Sequence, residues 1–209
     1  MGRTPLSMAP EHGHEAFVKV LLDLSSIEPD LKDRGDRTLL SLAARPWGYP
    51  VYDSHASVIS RLMAQDGVDV NARDKTGKTP FSHAVTAGCQ AVALLKTLQS
   101  KEADINTRDD DGQTPLSRAA QRGNADVIEF LLASADIDPH TTNNNGLTAM
   151  DIAVKERDNS SWLGWYKERF EEIIGLLSSV KTPVSSNKQY AWGKKVISLD
   201  HSVQMNVQV

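Results

Sequence analysis

A phrase that begins with threonine recurs along the chain, and this repetition constrains the fold more than any other feature. The copies start at Thr4, Thr38, Thr79, Thr114 and Thr148, which are 34, 41, 35 and 34 positions apart. The clearest copies continue with proline, a large apolar residue, serine and, two positions after the serine, alanine. A self-similar period in this range is typical of stacked supersecondary units, each of which buries its apolar face against its neighbours.

Each copy carries the signals of two helices. Threonine can cap a helix, and proline suits the first helical position because it has no N–H group that would be left unbonded. Gly13, Gly88 and Gly123 follow the first helix, where glycine commonly ends helices because it adopts positive φ freely. The segment 127–132 then has apolar residues at i, i+1, i+4 and i+5, which predicts an amphipathic second helix.

The connections between units have a pattern of their own. In the segments 68–74 and 103–109, apolar and polar residues alternate and are followed by Asp, Asn and Gly. Alternation predicts a short strand, and the polar residues after it predict a β-turn. Each connection is therefore predicted to project from the helices as a finger.

Two phrases, one at the end of the third unit and one at the start of the fourth, carry a family resemblance. Gly-Gln-Thr-Pro-Leu-Ser-Arg-Ala-Ala at 112–120 and Ala-Asp-Ile-Asn at 103–106 resemble the ankyrin consensus. Together with Gly-His-Glu-Ala at 13–16, the wording looks most like that of ankyrin arrays of filamentous fungi. The resemblance covers roughly residues 2–180 and implies an all-α solenoid of about five helix-turn-helix repeats with short β-turn fingers.

The resemblance also implies how the chain is divided. Repeats are expected near 1–32, 33–73, 74–108, 109–142 and 143–180, followed by a tail at 181–209 that contains a linker and a strand-like segment suited to capping the solenoid. The chain begins halfway through a finger, so repeat one is either an exposed end or part of a longer array.

Repeats two and five depart from the regular period. Repeat two has an insertion of about seven residues relative to the ankyrin period, and its prolines and glycine predict a loop over 45–55. Repeat five lacks the interhelical glycine and has an irregular segment at 158–166 before a helix predicted over 170–177.

These two inserts hold most of the Trp and Tyr residues of the chain. They are Trp47, Tyr49 and Tyr52 in the first insert, and Trp162, Trp165 and Tyr166 in the second. Trp and Tyr dominate binding hot spots, but aromatic side chains also hold a long insert against its scaffold. The sequence leaves both roles open.

Composition excludes several classes of protein. The net charge of -4 argues against nonspecific nucleic-acid binding, which depends on clustered Lys and Arg, and against an electrostatic membrane anchor. The single cysteine, Cys89, cannot form a disulfide framework. No apolar run approaches the ~18 residues of a membrane span. An intracellular location, cytoplasmic or nuclear, is therefore expected.

No cofactor or metal is expected from the local patterns. His12 and His14 flank a glycine at an ordinary interhelical turn and have no third ligand nearby in sequence. The acidic run at 109–111 resembles part of a calcium loop, but Arg118 stands where that loop needs a glutamate.

In ankyrin proteins the concave face, formed by finger tips and first helices, is the usual binding surface. The resemblance therefore implies finger residues Arg34, Arg37, Lys75, Lys78, Asp110, Asp111, Gln113, Asn144 and Leu147. On the first helices it implies Glu11, His12, His83, Thr86, Gln121, Arg122, Lys155 and Glu156. The fingers change from basic in repeats two and three to acidic in repeat four, and such a gradient would orient a partner of mixed charge.

Two functions from different classes follow. The first is a binding scaffold that recognises a protein partner through the concave face and the aromatic inserts, without catalysis. The second is a cofactor-independent small-molecule enzyme, a cyclase or isomerase, with a pocket walled by the aromatic inserts. His55 or Asp53 would move the proton there. A third hypothesis makes the repeats the ligand-sensing part of a larger signalling protein. Nucleic acid and membrane are not expected partners.

Overall fold

The computed structural model describes residues 16, 18–20, 30–45, 53–87, 91–100, 102–159 and 164–180. The predicted tail at 181–209 lies outside these ranges. The helices are α1 (Leu39–Ala43), α2 (Asp53–Met63), α3 (Pro80–Ala84), α4 (Ala91–Gln99), α5 (Pro115–Arg122), α6 (Ala125–Leu132), α7 (Ala149–Asn159) and α8 (Gly164–Ser178).

Consecutive helices form pairs, and the pairs stack in two layers. The first helices α1, α3, α5 and α7 contact one another in chain order, and so do the second helices α2, α4, α6 and α8. Each first helix also contacts the second helix of its own pair. This arrangement confirms the predicted all-α repeat solenoid.

The first helices begin as the threonine phrase predicts. In α1, α3 and α5 the cap hydroxyl oxygen accepts a hydrogen bond from the backbone N–H of the serine three positions later, at 3.2 Å in each case. The caps are Thr38, Thr79 and Thr114, and a proline stands in the first turn of α3 and of α5. Gly123 ends α5 with a φ of 67°, as predicted from its position.

One apolar core runs through the stack. Phe81 and Leu116, at equivalent positions of α3 and α5, are fully buried, and Ile128 and Leu131 of α6 join them. The small buried alanines of the first helices, such as Ala119, allow neighbouring helices to approach closely. Burial of a large apolar side chain contributes about 1.5–3 kcal/mol, so this core is the main source of stability.

The finger turns are organised by one side-chain oxygen each. In finger 109–113, Oδ1 of Asp109 accepts hydrogen bonds from the backbone N–H groups of Asp111 and Gln113, at 3.0 and 2.9 Å. The same pair of bonds, to the residues two and four positions later, recurs in fingers 33–37, 74–78 and 143–147. The organising residues there are Asp33, Asp74 and Asn143.

The predicted short strands are wrong for the described part of the chain, where no strand occurs. In the segment 68–74, the backbone N–H of Asn71 bonds to the Asp69 side chain at 2.9 Å, and the equivalent N–H of Asn106 bonds to Asp104 at 2.8 Å. Side-chain oxygens thus occupy backbone donors that a strand would use for a ladder.

Neighbouring fingers are joined by one backbone hydrogen bond at each step. The bonds run from the N–H of Lys75 to the carbonyl of Gly35 at 2.9 Å, from Asp110 to Thr76 at 3.1 Å and from Asn144 to Asp111 at 3.1 Å. The close approach requires glycine at position 112, where φ is +73° and an added Cβ would lie 2.8 Å from the backbone nitrogen of Asn144. We call this series of bonds the finger ladder.

Two inserts are shorter than the sequence suggested. The loop predicted over 45–55 is wrong at its end, because α2 begins at Asp53 and includes His55. The irregular segment predicted over 158–166 is wrong at both ends, because α7 continues to Asn159 and α8 begins at Gly164. Most of the described residues added to α7 and α8 are polar and exposed, so they give little apolar pattern by which to recognise a helix. His55 in α2 is buried instead.

Candidate functional site

A groove of about 370 Å³ lies where the two fingers 33–37 and 74–78 meet the first helices α3 and α5. We call it the basic groove. Its lining residues are Gly35, Arg37, Arg45, Asp74, Lys75, Thr76, Lys78, Ser82, His83, Thr86, Arg118 and Arg122. The lining includes six arginine or lysine side chains and a single carboxylate, that of Asp74.

The carboxylate of Asp74 is held by hydrogen bonds within the groove. Nε2 of His83 lies 2.8 Å from Oδ2 of Asp74, and the two side chains are only 7% and 6% exposed. Burial raises the pKa of Asp74, but hydrogen bonds from His83, from Thr76 and from the backbone N–H of Lys78 outweigh it and hold that pKa well below its usual range. Asp74 is therefore ionised, and its oxygens are occupied by hydrogen bonds within the fold.

Arg118 of α5 makes the equivalent contact one repeat further on. Its Nε donates to Oδ2 of Asp109 at 3.0 Å, and the Asp109 side chain is 2% exposed. The guanidinium also reaches Oδ2 of Asp111 at 3.2 Å and Oε1 of Gln121 at 3.4 Å. His83 and Arg118 each stand nine positions after the acid of their finger.

Arg37 is also paired within its own finger. Its Nη2 and Nε donate to Oδ2 of Asp33 at 2.6 and 3.0 Å. Burial raises the pKa of Asp33, but the bonds from Arg37 and from the backbone N–H of Gly35 lower it by more. Among the described residues, the side chains of Lys75, Lys78 and Arg122 have no comparable ion-pair partner. These three cations leave the groove with an excess of positive charge.

Some of the predicted finger and first-helix residues line the groove and others do not. The groove brings together Arg37, Lys75, Lys78, His83, Thr86 and Arg122. Outside its lining lie Arg34, Asp110, Gln113 and Gln121. Asp110 lies 3.7 Å from Nη2 of Arg73, which belongs to the preceding connection.

Three charged residues of the groove were not predicted as binding residues: Arg45, Asp74 and Arg118. Arg45 was assigned to the insert, although it stands as many positions after its threonine cap as Thr86 does. Arg118 follows the repeated serine just as His83 does, and this equivalence was the signal available in the sequence.

The residues of the enzyme hypothesis are not brought together in the described part of the chain. His55 is 3% exposed within α2, and the side chain of Asp53 lies outside the described residues. Trp47, Tyr49, Tyr52 and Trp162 lie outside them too, as does the side chain of Trp165 in α8.

Tyr166 is the aromatic insert residue whose side chain the structure describes. Its ring packs edge-on against Phe170, with ring centroids 5.1 Å apart and an interplanar angle of 62°. For Tyr166, this contact supports the packing role that the sequence had left open.

Two further features concern metals and membranes. Within the described ranges, no group of three or more His, Cys, Asp or Glu side chains is placed to hold a metal ion. Of the helices described, none combines the length and the apolar run needed to cross a bilayer.

Comparison with known proteins identifies the repeats. Residues 98–153, from the end of α4 to the middle of α7, match the family model described as ankyrin repeats in many copies. No curated protein shows a significant match to the chain. Ankyrin repeats generally mediate protein–protein interaction. With its capped helix pairs and its fingers, the structure agrees with this match over residues 98–153, which supports an ankyrin-repeat protein.

Proposed function

We propose that this chain is a binding scaffold that recognises a protein partner through the face formed by its fingers and first helices. The observation that carries the proposal is the basic groove, where Lys75, Lys78 and Arg122 have charges that no described acid compensates. In this proposal the repeat region covers residues 1–180 and the tail at 181–209 is a separate segment.

The rigidity of this face supports a binding role. The floor of the groove is held by the Asp74–His83 and Asp109–Arg118 pairs, and the finger ladder joins the backbones of its walls. A surface whose side chains and loops are already ordered loses little conformational entropy on association, so more of the contact energy becomes affinity.

The aromatic inserts form the second part of the proposed surface. Trp47, Tyr49, Tyr52, Trp162 and Trp165 are of the residue types that contribute most to binding hot spots. A partner that contacts both the basic groove and these aromatic residues would combine electrostatic steering with apolar contacts. The role of Tyr166 in this proposal is to pack α8, not to contact the partner.

Site-specific photo-crosslinking tests the proposal. A photoreactive amino acid is placed at Thr86, an exposed residue of the groove, and in a matched variant at Lys96, an exposed residue of α4 away from the groove. Each full-length variant is irradiated in a lysate of the source cells. We expect specific protein adducts from position 86 that are absent from position 96.

A second variant addresses the inserts. Replacing Trp47, Tyr49 and Tyr52 with alanine in the Thr86 crosslinking variant should weaken the adducts. Equal adducts from positions 86 and 96, or none from position 86, would refute the scaffold surface proposed here. Undiminished adducts after the alanine substitutions would refute only the contribution of the first insert.

A further inference from the structure

The charge of the fingers changes sign from one finger to the next. Finger 74–78 carries Lys75 and Lys78, whereas the adjoining finger 109–113 carries Asp110 and Asp111, whose side chains are 63% and 78% exposed. The two fingers are directly connected, because the N–H of Asp110 bonds to the carbonyl of Thr76. A ligand that crosses the groove therefore meets positive and then negative charge.

The internal ion pairs make this contrast sharper. Arg118 and Asp109 compensate each other, as do Arg37 and Asp33, so these side chains contribute little to the net field over the groove. The Asp74 carboxylate is 6% exposed and hydrogen-bonded to His83. What remains on one side is Lys75, Lys78 and Arg122. On the other side Asp111 is the more exposed partner of Arg118, and Asp110 faces Arg73 at the long distance of 3.7 Å.

From this arrangement, and resting on the proposed function, we infer that the partner presents an extended segment of mixed charge. Its acidic residues lie over the basic groove, and the basic residues that follow lie over Asp110 and Asp111. Complementary charge in both halves fixes the register of the segment as well as its affinity. A segment whose charges all have the same sign would be attracted to one finger and repelled by the next.

The same contrast argues against a nucleic acid. A polynucleotide backbone continues its negative charge beyond any short basic patch, and its affinity depends on neutralising several phosphates in succession. Past the basic groove it would meet the exposed carboxylates of Asp110 and Asp111 at once. A protein segment can change the sign of its charge within a few residues, so it fits this surface.

The number of repeats crossed sets the length of the segment. Packed helices lie about 8–10 Å apart, so three successive fingers span roughly 20 Å. An extended chain advances about 3.3 Å per residue, and about six residues cover that distance. A probe of about ten residues therefore reaches all three fingers with residues to spare at either end.

Fluorescence anisotropy with labelled synthetic peptides tests the inference on the full chain. The probe is a peptide of about ten residues, half glutamates and half lysines in two blocks. Three further ligands are compared with it: an all-glutamate peptide, a peptide with glutamine in place of every glutamate, and a single-stranded DNA of similar length. We expect the two-block peptide to bind tightest and its affinity to fall as salt is added.

Matched protein variants locate the binding. The double variant Lys75→Glu and Lys78→Glu should weaken binding of the two-block peptide by about tenfold or more, since the attractions of an exposed and a half-buried lysine both become repulsions. The control, Lys96→Glu with Lys167→Glu, makes the same change of net charge on exposed residues of α4 and α8 and should alter affinity by less than about twofold. Thermal unfolding of each variant establishes that it is folded.

The acidic half of the surface has its own variant. Asp110→Lys should shift the preference from the two-block peptide towards the all-glutamate peptide. Any of four results would overturn the inference. The control variant could lose as much affinity as the Lys75 and Lys78 variant, or the glutamine peptide could bind as tightly as the two-block peptide. The DNA could bind more tightly than the two-block peptide, or no peptide could bind. The crosslinking at position 86 is independent of partner charge, so a scaffold with a different partner is distinguished from no scaffold at all.

Discussion

Two successive repeats place different cations in the same position. In one, His83 of α3 bonds to the second carboxylate oxygen of Asp74, and in the next, Arg118 of α5 bonds to that of Asp109. The imidazole makes a single bond and carries a charge only when protonated. The guanidinium is always charged, and it reaches Asp111 as well.

The comparison separates what the fold requires from what the surface adds. Both fingers use Oδ1 of the acid to hold the turn, and finger 143–147 does the same with the amide of Asn143. Nine positions after Asn143 stands Ile152, a buried apolar residue. The turn thus needs an oxygen acceptor, while the charge on the second oxygen and its cation vary from repeat to repeat.

The largest expected change in the free energy of unfolding comes from the apolar core that the two repeats share, not from the Asp74–His83 and Asp109–Arg118 pairs. Phe81→Ala and Leu116→Ala remove equivalent fully buried side chains and should lower the free energy of unfolding by about 3–5 and 2–5 kcal/mol. Urea denaturation followed by circular dichroism measures both. A loss below about 1 kcal/mol at either position would mean that this repeat is not packed as described.

Arg118 provides the next largest effect. Arg118→Ile leaves the Asp109 carboxylate buried without its cation and should cost about 2–3 kcal/mol, less than for a fully buried pair because Arg118 is 18% exposed. Adding Asp109→Asn reproduces the Asn143–Ile152 arrangement and should recover most of the loss. Urea denaturation of both single variants and the double variant completes the cycle. Additive losses would contradict the pairing.

The contribution of Asp74 to the free energy of unfolding should depend on pH in the acid range. The folded-state pKa of Asp74 lies below the unfolded value of ~3.9, so its ionisation stabilises the fold above that pH and the contribution is lost as pH falls further. Asp74→Asn should cost about 1–2 kcal/mol at neutral pH, and the difference from the wild type should shrink below about pH 4. Urea denaturation at a series of pH values measures it. A difference independent of pH would argue against an ionised pair.

The smallest effects should come from the finger tips. Lys75→Glu and Asp110→Lys alter exposed side chains and should change the free energy of unfolding by no more than about 0.5 kcal/mol. Thermal denaturation compares each variant with the wild type. A larger change at either tip would mean that its charge serves the fold, which would weaken its assignment to binding.

The parts that could be predicted are those that depend on local chemistry. Threonine caps, the glycine at the end of α5 and the alanine-lined stacking of first helices follow from one repeated phrase. Lys75 and Lys78, predicted as finger residues, line the groove, and their role in binding stays a prediction.

The parts that were missed depend on geometry between elements. The pairs of Asp74 with His83 and Asp109 with Arg118 require the angle at which a helix leaves its finger, and a nine-residue spacing alone does not contain that angle. Likewise, His55 was placed in a loop because tertiary packing of α2, not local propensity, extends that helix to Asp53.

The finger ladder has a consequence for how the chain comes apart. Each bond of the ladder has its donor in one repeat and its acceptor in the preceding one, so no finger completes its hydrogen bonding alone. When one repeat opens, its neighbour loses a bond partner together with its apolar contacts, and the stability of each repeat is conditional on the next. Unfolding should therefore spread along the axis as a moving boundary, and α5 with its neighbours should be the last region to exchange its amide hydrogens.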